Sequence, residues 1–476
     1  MHGPIIHDDA PIAQPAAIAA DGPVAAPAGL TPPAGGAQPY PPAGRAWYCV
    51  FVLALAVMVN FLDRGILTLL VEPIKADLGL SDVQMSLVMG FAFTFFYAIL
   101  GLPVARMVDR HSRRAIMATG IAIWSVMTAM CGFATNFWHL FAARVGVGVG
   151  ETTSGPSAYS LLADYFPPAK LPRAIAGMNL GFVAGSGLAM IIGAAVIGFV
   201  AGHGDVALPL IGAVRGWQLV LMMVGVPGLV VSALMLTVKE PPRRGGGAVG
   251  EAPQPIGAVF RLIGQYPLVF VPMFAGLALR STQMFGTQMW GPAFYGRTYG
   301  WGPEQIGYVT GASLLVAMPI GLFFGSWLSE RYARAGRHDA NIRVVVVSTA
   351  ISVPLGILYP MMPSPWWAAA ISLVNAIFTG MAAPVENAAL QIVTPNRMRG
   401  QMTFLFLFIM NVVGMGLGPL VTASLSQYVF GEAGIRWSLV ASGALMGIPA
   451  LFVFWIGMRP YGQAVAQIEG GRPLDG

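Results

Sequence analysis

The sequence predicts an all-α membrane protein whose twelve transmembrane helices fall into two six-helix halves. Three observations predict it. Hydrophobic residues make up 56% of the chain and charged residues 10%, far from the balance of a water-soluble domain. Apolar runs of about 20 residues recur along it, the length that crosses a hydrocarbon core of about 30 Å. A stretch rich in Pro, Gly and Arg at residues 239–265 divides those runs six and six. A backbone in lipid must pair its polar groups within a helix or a closed barrel, and runs this long are helices.

The spans are placed at residues 46–72, 82–108, 115–134, 137–164, 172–201 and 214–238, and then at 267–297, 303–328, 342–362, 366–393, 400–430 and 436–458. Residues 1–44 precede them with ten of the 37 prolines, no Lys or Arg and no continuous apolar core. Such a segment is expected to be a disordered tail and not a signal peptide. The first half occupies 45–238 and the second 266–460. The linker 239–265 contains Pro241, Pro242, Arg243, Arg244 and Gly245 to Gly247, and residues 461–476 form a second tail.

Positively charged loops stay cytoplasmic. With the N-terminus inside, nineteen of the 26 Lys and Arg lie on the cytoplasmic side. Lys75, Arg215, Arg297 and Arg436 fall outside, and Arg64, Arg144 and Arg280 lie within the membrane. Both termini are therefore expected in the cytoplasm. The net charge of +6 follows from this loop bias and from anionic headgroups, with no nucleic acid needed.

Six charges lie inside the apolar spans: Asp63, Arg64, Arg144, Glu151, Arg280 and Glu386. An intramembrane charge is costly and by default functional. These six fall on spans 1, 4, 7 and 10, a pattern that predicts a polar cavity lined by every third helix. At 1.5 Å per residue, Asp63 lies about 25 Å along span 1 and Arg144 about 10 Å from the outer end of span 4, a similar depth. Glu151 is two turns beyond Arg144 on the same face. Asp63, Arg64, Arg144 and Glu151 are thus expected to form one network.

Two roles fit that network. A carboxylate there is pushed toward neutrality by desolvation and toward ionisation by an arginine, which makes its proton occupancy sensitive to conformation. In that reading Asp63 and Glu151 couple protons, with Arg64 and Arg144 as charge partners. In the other, the cluster is a static ion-pair group that orients spans 1 and 4. Asp164 and Asp109, near the cytoplasmic surface, read as loop and gate contacts.

In the second half, Arg280, Gln283, Thr287, Trp290 and Phe294 follow helical spacing and form a stripe too polar and aromatic for lipid. With Asn375, Thr379 and Glu386 of span 10 they are expected to line the cavity and bind substrate. Arg280 is suited to an anionic headgroup, and Trp290, Phe294 and the many methionines to a flexible apolar body. The competing reading pairs Arg280 with Glu386, about 10 Å from the cytoplasmic end of span 10, through a long reach or a water.

Gly146, Gly148 and Gly150 lie inside an apolar span with no strand before them, so close helix packing outweighs phosphate binding. Gly177, Gly181, Gly185 and Gly187 read the same way. Cys49 and Cys131 sit in separate spans as inert packing. No lysine precedes a Ser or Thr and no HExxH or GxSxG occurs. ATP-driven transport and a membrane-embedded protease or hydrolase are therefore not expected, and an ion gradient or facilitated diffusion is left.

The halves echo each other. Asp109-Arg110-x-x-Arg113-Arg114 stands between spans 2 and 3, and Glu330-Arg331-x-x-Arg334 between spans 8 and 9, an internal repeat of the kind recurrent in transporters. The first loop resembles the G-x-x-x-D-R-x-x-R-R signature of the major facilitator superfamily, with Ala105 and Ser112 where glycines are commoner. Asn60-Phe61-Leu62-Asp63-Arg64, Trp124-Ser125-x-x-Thr128, Arg144-Val145-Gly146-Val147-Gly148-Val149-Gly150-Glu151 and Leu162-Ala163-Asp164-Tyr165-Phe166-Pro167 resemble its spinster-like branch.

That resemblance implies the major facilitator fold, alternating access, and a cytoplasmic gate at Asp109, Arg110, Arg113, Arg114, Glu330, Arg331 and Arg334. The glycine-rich fifth span matches antiporter-type members. The expected activity is secondary transport in the cell membrane, of a bacterial inner-membrane type, and not enzymatic. The expected partners are a small amphipathic substrate and membrane lipids, for a monomer with no metal and no cofactor other than protons as coupling ion. A multidrug or organic-anion carrier of the same superfamily, and a non-transporting lipid receptor or scaffold, are the alternatives.

Overall fold

The computed structural model describes residues 39–167, 170–202, 206–208, 212–243, 256–471 and 474. Residues 1–38 of the predicted disordered tail and the middle of the predicted linker, including Arg244 and Gly245 to Gly247, lie outside the described residues, while Ala43 and Gly44 at the end of that tail already belong to the first helix.

Among the described residues there are twelve membrane-length segments, and eleven of them are continuous apolar helices long enough to cross. In the first half, span 1 is Ala43–Leu69. Span 2 runs from Asp82–Ser86 through Leu87–Phe91 into Ala92–Arg110, and span 3 is Arg113–Cys131. Span 5 is Leu171–Ala201 and span 6 is Gly216–Thr237. Span 4 is the exception, with two pieces, Phe137–Glu151 and Ser154–Tyr165. The break has a local cause: Pro156 has no N–H to give the Thr152 carbonyl. The Thr152 and Thr153 hydroxyls turn back onto the Gly148 and Gly150 carbonyls at 2.8 and 2.9 Å. The helix therefore ends one residue after Gly150, at Glu151.

In the second half, span 7 is Pro267–Tyr299, span 8 Pro303–Arg334, span 9 Ala340–Leu358 and span 10 Pro365–Ile392. Span 11 begins with Arg399–Phe408 and ends at Phe430. Span 12 begins with Ile435–Ser442 and its last helix is Ile448–Glu469. That helix passes well beyond residue 458, so much of the predicted second tail is helical. The linker likewise contains a helix, Ile256–Gln265, that buries Ala258, Val259 and Leu262. Both departures come from apolar residues at helical spacing just outside the membrane-length windows. A small antiparallel pairing of Val206–Leu208 with Gly212–Val214 precedes span 6.

Local chemistry sets the ends. Ser81 and Gln84 form a capping box at span 2, Ser112 caps span 3, and Asn136 accepts from the His139 amide at 3.0 Å at span 4. Each satisfies amides that a helix start leaves unpaired. Large apolar side chains such as Phe323, at 74% exposure, face outward, as lipid contact requires and water would not favour.

The halves meet along two seams where backbones nearly touch. On one, a Cβ added to Gly187 of span 5 would stand 2.7 Å from the Gly311 carbonyl of span 8. On the other, a Cβ on Gly90 of span 2 would stand 2.4 Å from the Met415 carbonyl of span 11. Gly90 and Met415 both lie in π-helical stretches, Leu87–Phe91 and Ile409–Leu417. Such bulges widen a helix turn and gather at working parts of proteins.

Candidate transport site

Span 1 turns Asp63 into the first half and leaves Arg64 beside it at the seam. Asp63 is 1% exposed, and its Oδ2 accepts from the Thr128 hydroxyl of span 3 at 3.1 Å. Arg64 donates to the Glu151 carboxylate in a direct ion pair. The Arg64 guanidinium lies 4.3 Å from the Phe93 ring centroid and 3.8 Å from the Met415 sulfur of the other half. Its side chain is 22% exposed against 1% for Glu151, so Arg64 is the member that looks out between the halves. Arg144 is 2% exposed and lies within electrostatic reach of Asp63, as do Glu151 and Arg64.

The four predicted charges are thus gathered, but with unequal roles. Among the described residues Arg144 makes no direct ion pair, whereas the sequence predicts the same role for it as for Arg64. Asp63 Oδ1, Glu151 Oε1, Arg144 Nε, Arg64 Nε and Trp124 Nε1 are buried with no hydrogen-bond partner. Unsatisfied buried donors and acceptors cost about 1–3 kcal/mol each, so these side chains are held in place at an energetic cost. Glycine places Glu151 here: a Cβ on Gly150 would meet the Trp124 amide at 2.7 Å. Thr128 and Trp124 carry no charge and so give no intramembrane-charge signal, although both stand in the Trp-Ser-x-x-Thr string of span 3.

In the second half, Arg280 and Glu386 form a direct two-pronged pair, Nε to Oε1 at 2.7 Å and a second bond to Oε2. This corrects the expectation of a long reach or a bridging water, because the two side chains lean toward each other along adjoining spans. It also leaves Arg280 engaged, not open to a headgroup. Gln283 Nε2 donates to Thr287 at 3.4 Å, and a Cβ on Gly356 would lie 3.3 Å from Gln283 and 3.8 Å from Asn375. Gln283, Thr287, Asn375 and Thr379 are all half-buried.

Trp290 and Phe294 depart from the expected cavity lining. Both are fully buried. The Trp290 indole donates to the Ser86 hydroxyl and the Pro419 carbonyl, each at 3.0 Å. Phe294 packs edge-on against Tyr295, Tyr299 and Tyr359. The seam is shut at the predicted outer end, which hides the upper half of the stripe.

The predicted gate also divides. Arg113 and Arg114 bind Asp164 of their own half and the start of the linker, with no bond to the second half among the described residues. Arg113 pairs with Asp164 and with Glu240, the latter at 2.7 Å, and donates to the Pro241 carbonyl at 2.9 Å. The Arg114 amide donates to Glu240 at 2.9 Å. Burial raises the Glu240 carboxyl, but Arg113, the Arg114 amide and the Ser112 hydroxyl outweigh it and hold it below the usual carboxylate value. Arg331 lies over Trp327 at 5.5 Å, and Arg334 Nε donates to the Glu330 carbonyl at 3.4 Å. Asp109 and Arg110 are exposed. Among the described residues neither the Asp109 nor the Glu330 carboxylate has an ion-pair partner, and no group of three or more His, Cys, Asp or Glu could hold a metal ion.

Comparisons with known proteins agree with this architecture. The sequence matches the Major Facilitator Superfamily over residues 53–419. An MFS-type efflux pump of Mycolicibacterium smegmatis is 28% identical over 421 residues, covering 88% of this chain and 94% of that protein. Protein spinster of Drosophila melanogaster is 26% identical over 311 residues, covering 61% of this chain and 48% of that protein. The crystal structure of a bacterial homolog of the human lysosomal transporter Spinster, inward-facing and unoccupied, has a TM-score of 0.73 at 26% identity. It covers 91% of this chain and 99% of that one. The chain therefore belongs to the Major Facilitator Superfamily, as a multi-pass membrane transporter that resembles the spinster-like branch and is not an enzyme.

Proposed function

We propose that the protein moves an amphipathic, lipid-like anion by proton-coupled alternating access, with Glu151 carrying the coupling proton and Asp63 as a second titrating group. The observation that carries this reading is the Arg64–Glu151 pair, buried on the Glu151 side and facing the other half on the Arg64 side. Protonating Glu151 releases Arg64, whose partly exposed guanidinium then turns to the water between the halves, and so changes which arrangement of the halves is favoured. The ionised carboxylate holds the first half in one arrangement. A proton gradient then becomes a conformational bias.

Both termini are assigned to the cytoplasm on the loop charges. At the predicted outer end the seam is closed, and at the other end Asp109 and Glu330 have no ion-pair partner among the described residues. This contrast supports a cytoplasm-facing state, and the similar bacterial Spinster homolog was crystallised inward-facing. The half-buried Gln283, Thr287, Asn375 and Thr379 supply polar contacts for the substrate. A second reading, drug or organic-anion efflux, is favoured by the long match to the mycobacterial efflux pump. It keeps the same carboxylates and changes the cargo.

The test is flux in liposomes under an imposed pH gradient. Glu151→Gln mimics the protonated form in shape and charge. It should abolish proton-driven flux and fix the conformational equilibrium near its acidic limit while leaving substrate binding largely intact. A variant that still switches with the wild-type midpoint removes Glu151 from the coupling role. Competition between lysolipids or sphingoid phosphates and cationic dyes separates the two cargo readings.

A further inference from the structure

The predicted outer end holds a second set of buried charges, away from the transport site. Asp82, the first residue of the span 2 helix, has no exposed surface. Its carboxylate accepts two bonds from Arg297 of span 7, at 2.7 and 2.8 Å. It accepts a third from Ser426 of span 11 at 2.7 Å, and it pairs with Lys75 of its own half. Arg297 also reaches Glu72 at 2.8 Å, and Lys75 reaches Glu432 of the other half at 3.0 Å. Directly below, Ser86 donates to the Pro419 carbonyl at 2.9 Å, and the Val83 amide donates to Gln427 at 3.2 Å. The polar bridges between the halves gather along this seam.

We propose that Asp82, clamped by Arg297 and Ser426 of the opposite half, is the latch that holds this end of the transport path shut. The inference rests on the alternating-access reading. A two-pronged guanidinium–carboxylate contact is directional and strong only at close fit, so parting the seam breaks it as a step and not by degrees. Opening is made reversible because each partner keeps a companion from its own half. Asp82 keeps Lys75, and the N-terminus of span 2 favours its negative charge. Arg297 keeps the Trp290 ring, 5.3 Å from its guanidinium carbon. Water entering the opened mouth then satisfies the rest.

The experiment uses two spin-label pairs on the full chain. One pair, at Thr135 and Ala433, spans the latch end from half to half; the other, at His111 and Gly400, spans the opposite end. All four positions are exposed. Asp82→Asn and Ser426→Ala should each add a long-distance population at Thr135–Ala433 and shorten His111–Gly400. The open fraction should rise roughly tenfold for Ser426→Ala, the change that one lost hydrogen bond to a charged group implies. If Asp82→Asn does not fold, Ser426→Ala, which leaves the charges in place, decides. Distributions at Thr135–Ala433 that match wild type in the variants, while His111–Gly400 still responds to pH, overturn the latch and leave alternating access standing. Distances that never move at either end, in any protein or at any pH, overturn alternating access and the latch with it.

Discussion

Arg280 and Glu386 stand 106 positions apart in the chain and meet as a two-pronged pair between spans 7 and 10, with side chains 7% and 5% exposed. Removing one partner of such a pair strands the other charge, a loss of about 3–5 kcal/mol, whereas replacing both with apolar groups is often neutral. Glu386→Ala should therefore lower the melting temperature in detergent more than the double variant Arg280→Met with Glu386→Leu. Equal losses would show that the pair contributes nothing as a pair.

The Thr128 hydroxyl donates to Asp63 Oδ2 at 3.1 Å, so its loss changes the polar surroundings of a carboxyl that the proposed mechanism titrates. Thr128→Val keeps the shape and removes the donor. The midpoint of the conformational equilibrium against pH should move from the wild-type value, because a hydrogen bond to a buried carboxyl weighs differently on its two protonation states. Thr128→Ser should restore the wild-type midpoint. A Thr128→Val protein with an unmoved midpoint and a lower melting temperature would make Thr128 a packing residue only.

Glu240 is held below the usual carboxylate value in the folded protein, chiefly by Arg113 against the opposing effect of burial. A depressed carboxyl contributes stability that is present above its unfolded value, near about 4.3, and is lost as pH falls through the folded value. Melting temperature should drop as pH is lowered from about 5 toward 3, and Glu240→Gln should flatten that slope while lowering stability at pH 7. An identical slope in the variant would exclude Glu240 from the acid transition.

Asp109 is exposed and unpaired among the described residues in this state. If its contacts belong to the opposite state, Asp109→Ala removes something present on one side of the equilibrium only. The population should shift toward the arrangement seen here, read as a longer distance between spin labels on the predicted cytoplasmic ends of spans 2 and 11. An unchanged distribution would return Asp109 to a loop role.

Thr287 and Thr379 are half-buried on the predicted cavity faces. Cysteines at both positions should react with a small aqueous thiol reagent, while Cys49 and Cys131, at 0% and 1% exposure, should not. Silence at Thr287 and Thr379 in every condition would mean that these faces are wrongly assigned.

The sequence by itself determined the spans, the division into halves and the helices that carry the charges. These follow from costs that each residue meets locally. Lipid penalises an unpaired backbone group or an unneeded charge wherever it falls, so hydropathy and the positions of Asp63, Glu151, Arg280 and Glu386 are readable one window at a time. Tertiary structure alone decided that Arg64, and not Arg144, takes Glu151, that Arg113 turns to Asp164 and Glu240, and that Trp290 and Phe294 lie buried in a closed seam. Lys75 and Arg297 were visible as rare positive charges on the predicted outer side, but nothing local joined them to Asp82. Those outcomes depend on helix rotation and on which of two arrangements the halves adopt. That choice is a small difference between contacts hundreds of residues apart, such as Ser426 with Asp82, and no local periodicity records it.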